Sequence, residues 1–101
     1  LMSIERGIHK LTGEIGHVLA IDRGILAVGR PADVVVLDWE KVAPGPIRRV
    51  VDMPAGGDRL IADRPGGIDH VLVNGVPIRS DGRSVLDSLS GLPGRILRPT
   101  A

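Results

Sequence analysis

Asn74-Gly75, set between Ile68-Asp69-His70-Val71-Leu72-Val73 and Val76-Pro77-Ile78-Arg79, narrows the possible folds of this chain more than any other feature. A two-residue type I′ turn needs positive φ at both central positions, and Asn followed by Gly is the strongest short signal for one. The pair therefore predicts an antiparallel hairpin. Pro77 lacks an amide hydrogen, so the return strand is expected at a sheet edge, or with that position turned from its neighbour. A second strand is predicted at Ala32-Asp33-Val34-Val35-Val36-Leu37-Asp38, a β-branched run bounded by acids. Its unbroken apolar stretch suits a strand buried on both faces.

The chain before these strands has a different period. Ser3 is a candidate N-cap, and Ile4, Ile8 and Leu11 follow at i, i+4 and i+7, the apolar stripe of a short amphipathic helix. Thr12 is placed to cap a second helical segment that buries Ile15, Val18 and Leu19, with Glu14 in its first turn. Two helices are thus expected over residues 3–21. Turns are expected at Asp22-Arg23-Gly24 and Gly29-Arg30-Pro31, with a short strand, Ile25-Leu26-Ala27-Val28, between them. Residues 43–57 read as an extended surface segment with one brief strand at 47–51. Arg59–Ala62 is short and apolar, and turns are expected at Arg64-Pro65-Gly66-Gly67 and Asp81-Gly82. The tail, 85–101, is expected to lie over the other elements as a loop with one helical turn. The fold class is α+β, mainly β.

A length of 101 residues allows one small domain or one piece of a larger one. Lys and Arg number 13 against 12 Asp and Glu, a formal charge of +1 that gives no electrostatic footprint for nucleic acid or a membrane surface. Trp39 is the only aromatic residue, which excludes base stacking and an aromatic-walled ligand site. No run approaches the roughly 18 apolar residues of a membrane span. Glu5, Arg6, His9 and Lys10 exclude a signal peptide from the first ten residues. Without cysteine there is no disulfide, thiolate nucleophile or Cys-based zinc site. The cytoplasm is the expected compartment.

Few side chains could carry chemistry. His9 and His17 share no metal-ligand spacing, and His70 sits alone in a strand, so each reads as a structural histidine. Asp33 and Asp38 bracket the valine run on opposite faces of the pleat and cannot converge on one substrate; strand-end acids of this kind bind turn amides or face water. Gly56-Gly57 and Gly66-Gly67 precede no amphipathic helix, and Ser84, Ser88 and Ser90 lie in no nucleophile elbow. Arg48-Arg49 reads as a solvated pair. No catalytic, cofactor-binding or metal-binding residue is expected in this chain.

Several longer phrases are familiar together. Ser3-Ile4-Glu5-Arg6-Gly7-Ile8-His9-Lys10-Leu11-Thr12-Gly13-Glu14 resembles the last barrel helix of the N-acyl-D-amino-acid deacylases (D-aminoacylases), metal-dependent amidohydrolases. The stretch from Asp22 to Asp38, with Gly29-Arg30-Pro31-Ala32-Asp33 at its centre, resembles their strand-turn-strand entry into a small β-sandwich. Gly67-Ile68-Asp69-His70-Val71-Leu72-Val73-Asn74-Gly75 and the closing Pro93-Gly94-Arg95-Ile96-Leu97-Arg98 are similar to phrases of the same branch. The resemblance implies a terminal helical segment of a TIM-like barrel at 1–22 and the C-terminal part of an incomplete accessory β-sandwich at 23–101. It implies zinc in the parent enzyme, held by residues upstream of Leu1, and no ligand in this chain. The expected partners are the parent's missing N-terminal barrel and sandwich strands, or a second copy of the chain. The alternative is a free-standing β-rich interaction or assembly module.

Overall fold

In the computed structural model, which describes residues 1–100, Ser3 begins the first helix as its position suggests. Its Oγ accepts a hydrogen bond from the Arg6 amide at 3.3 Å, ahead of α1 (Ile4–Leu11). Thr12, with φ −126° and ψ −83°, breaks the helix and bends the chain into α2 (Gly13–Val18). The expected Thr12 cap on α2 is not made. The hydroxyl instead donates back to the Ile8 carbonyl at 2.7 Å, a bond that a threonine at the end of a helix reaches without leaving its own turn.

α2 closes in a Schellman turn, with Ile21 N donating to Gly16 O at 3.0 Å and Ala20 N to His17 O at 3.1 Å. Ala20 holds the left-handed position at φ +52°, where glycine is usual. Gly16 is needed for a different reason. A Cβ there would stand 2.2 Å from the Arg23 carbonyl oxygen, so the helix rests its backbone directly on the chain that leaves it.

β1 (Val34–Leu37), β4 (Ile68–Val73), β5 (Val76–Ser80) and β6 (Arg83–Ser84) form an antiparallel sheet in that order. β2 (Ile47–Val50) and β3 (Arg59–Ala62) make a separate two-stranded hairpin. Asn74 at φ +49° and Gly75 at φ +79° form the tight turn between β4 and β5. Asp81 and Gly82, at +48° and +73°, repeat it between β5 and β6. β6 pairs only with Arg79 and Ser80, so Pro77 lies beyond its end on an open edge, as a residue without an amide hydrogen requires. The tail contributes one helical turn at Leu86–Ser88 and otherwise runs as loop to residue 100; its expected last residue, Ala101, lies outside the described residues.

Two expectations for strands are corrected. Ile25, Leu26, Ala27 and Val28 form no strand, because a strand needs a ladder partner and this segment pairs with none among the described residues. β1 is not buried on both faces: it is the edge strand, bonded on one side to β4, and Val35 is 54% exposed. The helix stripes are also open. Leu11 is 76% exposed, and Ile4, Ile8, Ile15, Val18 and Leu19 are exposed as well. The physical reason is shared: among the described residues no second layer packs over either surface.

No apolar side chain among the described residues is fully buried. The accessible surface is 8230 Å² for a 10.7 kDa chain. A self-sufficient folded chain of that mass exposes about 5,500 Å². The radius of gyration, 16.2 Å, likewise exceeds the roughly 13 Å of a closed domain of this length. The architecture is α+β with more sheet than helix. No helix among the described residues is long and apolar enough to cross a membrane.

Candidate functional site

A polar node lies where four distant segments meet at Arg23. The turn after α2 places this side chain, 15% exposed, between the start of β1 and the tip of the β4–β5 hairpin. Its Nε lies 2.7 Å from Asp33 Oδ2, Nη2 donates to Asn74 Oδ1 at 2.9 Å, and Nη1 donates to the Asp22 carbonyl at 2.7 Å. Asp33 accepts a second bond from the Asn74 amide at 2.8 Å. Asn74 Nδ2 donates to the Pro93 carbonyl at 2.7 Å, and Gly75 N to Ala32 O at 2.8 Å. Each side-chain nitrogen of Arg23 and both amide heteroatoms of Asn74 are engaged, so the arrangement fastens four segments together.

These residues belong to the phrases that carried the family resemblance: Asp22-Arg23-Gly24, Ala32-Asp33, Asn74-Gly75 and Pro93. Arg23 is the residue that reading by turns passed over. The available signal was a long cation in a tight turn ten residues ahead of a strand-end acid.

Asp33 and Asp38 do bind turn groups and do not converge. Asp38 accepts from the Glu40 amide at 3.1 Å and lies 2.7 Å from Lys41 Nζ. The Lys41 hydrogen bond holds the Asp38 carboxyl below its usual range, and the same bond raises the ammonium of Lys41. Arg48 and Arg49 are exposed but not merely solvated. They pair with Asp63 and Asp58, and Arg59 pairs with Asp52, so three Arg–Asp pairs accompany the β2–β3 hairpin.

The histidines remain apart. His9 lies against Gly13, and His17 lines a cleft of about 330 Å³ with Gly16, Arg30 and Thr100. His70 Nδ1 is 3.4 Å from Ser80 Oγ, and Nε2 is 3.9 Å from Asp81 Oδ1. The resulting line of Ser, His and Asp is loose, and Asp81 is largely in solvent. No group of three side chains able to hold a metal ion occurs among the described residues.

An open, mainly apolar groove of about 590 Å³ lies between α1 and β1, walled by Ile8, Leu11, Leu26, Val35 and Leu37. Glu5, His9, Thr12 and Asp33 stand among its lining residues. It is the meeting place of the two open faces, and β1 bounds it with a strand edge that β4 does not use.

The chain is similar over its whole length to the N-acyl-D-glutamate deacylase of Alcaligenes xylosoxydans xylosoxydans, with 37% identity across 106 aligned residues. The similarity covers 100% of this chain and 18% of that protein, so the chain spans less than a fifth of the curated relative it matches. The resemblance to the deacylases seen in the phrases above is borne out by this match. No family model and no solved structure matches the chain.

Proposed function

We propose that this chain is the C-terminal structural portion of a metal-dependent amidohydrolase that cleaves the amide bond of N-acyl-D-amino acids, and that it has no catalytic residue of its own. The observation that carries the reading is the end-to-end similarity to a deacylase several times longer. In this reading α1 and α2 are the last helical segment of the catalytic barrel. The sheets are the C-terminal part of an accessory β-sandwich whose other strands come from elsewhere in the parent.

The open surfaces support it. Covering Ile8, Leu11, Val35 and Leu37 and adding a strand beside β1 would satisfy both the apolar faces and the free ladder groups. The described residues do not fit a zinc site, since no three suitable ligands come together. The parent's metal would therefore be held by other parts of the polypeptide. This chain would contribute packing, and the Arg23 node would set the angle between the helix pair and the sheet.

A second reading draws on the same exposed edge: a free-standing module that associates through β1, with a second copy of itself or another protein. An immunoblot of the native cells against the hairpin around Asn74-Gly75 separates the two. A band far above 10.7 kDa, with zinc and N-acyl-D-amino-acid hydrolysis in the purified species, is the expected result. A band at 10.7 kDa from a self-associating species would overturn the enzyme reading in favour of the module.

A further inference from the structure

We propose that Asn74-Gly75 is a latent self-modification site, a deamidation site held unreactive by the Arg23 node and by the C-terminal strap that docks on it. An Asn-Gly pair is intrinsically prone to attack by its own backbone. The Gly75 nitrogen loses its proton and bonds to Asn74 Cγ, the Cγ–Nδ2 bond breaks, and the amide nitrogen leaves as ammonia. Water then opens the cyclic imide to aspartate or isoaspartate. Glycine permits this because no side chain hinders the attacking nitrogen.

In the fold the attacking nitrogen and both heteroatoms of the Asn74 amide are hydrogen-bonded. The Gly75 N–H donates to Ala32 O at 2.8 Å and must abandon that bond before it can attack. Asn74 Oδ1 accepts from Arg23 Nη2 at 2.9 Å, and the departing Nδ2 donates to Pro93 O at 2.7 Å. The second end of the strap is fastened 80 residues away in sequence, where Thr100 N and Oγ1 both donate to the carbonyl of Ala20, at 2.6 and 2.9 Å. Between these two fastenings the side chains of Arg95, Ile96, Leu97 and Arg98 are exposed, so the strap is held chiefly by its ends.

The modification would be self-reinforcing. An aspartate at 74 turns the donor facing Pro93 into an acceptor, which cannot bond a carbonyl. It also places a carboxylate beside Asp33, with the single Arg23 guanidinium between them. Isoaspartate adds a backbone methylene at the turn that sets the register of β4 and β5. Release of the strap would thus become irreversible.

The test is prolonged incubation at neutral pH of the polypeptide as its own cells make it, with peptide mass spectrometry reading conversion at Asn74. The comparisons are the same polypeptide in denaturant, Thr100→Ala and Thr100→Pro. Native conversion is expected at least about tenfold slower than in denaturant, the factor expected from about one to two net hydrogen bonds. Thr100→Pro, which removes both bonds to Ala20 and leaves the Gly75–Ala32 and Arg23–Asn74 bonds in place, should recover part of the lost rate, and Thr100→Ala should recover less. Amide exchange of β4 and β5 in the same samples must stay protected. Equal rates in native and denatured protein would overturn the proposal. So would a Thr100→Pro rate still at the native value, or acceleration only where β4 and β5 have lost protection.

Discussion

Removing the Arg23 side chain tests whether the node holds the helix pair to the sheet. Arg23→Met keeps much of the aliphatic length and deletes the bonds to Asp33, Asn74 and the Asp22 carbonyl. An exposed ion pair contributes about 0–1 kcal/mol, whereas breaking a buried one costs about 3–5 kcal/mol. Arg23 is 15% exposed and Asp33 36%, which places this pair between those limits. Allowing for the loss of the Asn74 bond, a destabilisation of about 2–3 kcal/mol is expected. A double-mutant cycle with Asp33→Asn, read by denaturant midpoints, isolates the pair and should return a coupling of about 1–2 kcal/mol. The exposed Arg48–Asp63 pair serves as the internal control and should give under about 0.5 kcal/mol. A coupling at Arg23 no larger than the control would refute the argument, because the node would then be surface decoration.

Ala20→Gly should stabilise the chain by about 1 kcal/mol in the same assay, since it relieves the left-handed strain that closes α2 while making the unfolded chain slightly more flexible. Ile8→Ala should change the isolated chain little, because Ile8 is already exposed, yet cost about 2–5 kcal/mol in a polypeptide that covers α1. Equal effects in both would contradict a covered groove. Carbon-detected NMR should find Asp38 titrating below an ordinary aspartate, and Lys41→Met should move it up. The sign follows from the depressed folded value: the pair contributes stability above the unfolded carboxyl value near 3.8, and loses it as pH falls through the folded one. The raised Lys41 ammonium sets the other limit, its contribution being present below about 10.5 and lost as pH rises through the folded value.

Local chemistry was legible where local chemistry decides. Ser3, Asn74-Gly75 and Asp81-Gly82 fix a cap and two turns through their own dihedrals and hydrogen bonds, and each stands where its residues require. The valine run forms a strand because β-branched side chains suit the pleat. Its burial was not legible, since the same run can stand at an edge or in the centre, depending on neighbours. Ile25 to Val28 has the composition of a strand and lacks the partner that makes one. The end of α2 was hidden because alanine occupies the position where glycine would announce a Schellman turn. The Arg23 node joins residues from 10 to 51 positions apart, and no local pattern encodes such a meeting.

The open apolar faces also set how any cover responds to temperature. Burying the roughly 2,700 Å² by which this chain exceeds a closed domain would lower the heat capacity by about 0.5 kcal/mol per kelvin, if about 60% of that area is apolar. Contacts of that kind draw their strength near room temperature from the entropy of released water, and they weaken on cooling. An assembly that depends on these surfaces would therefore be cold-labile, loosening first along α1 and β1 while the ion-paired Arg23 node held.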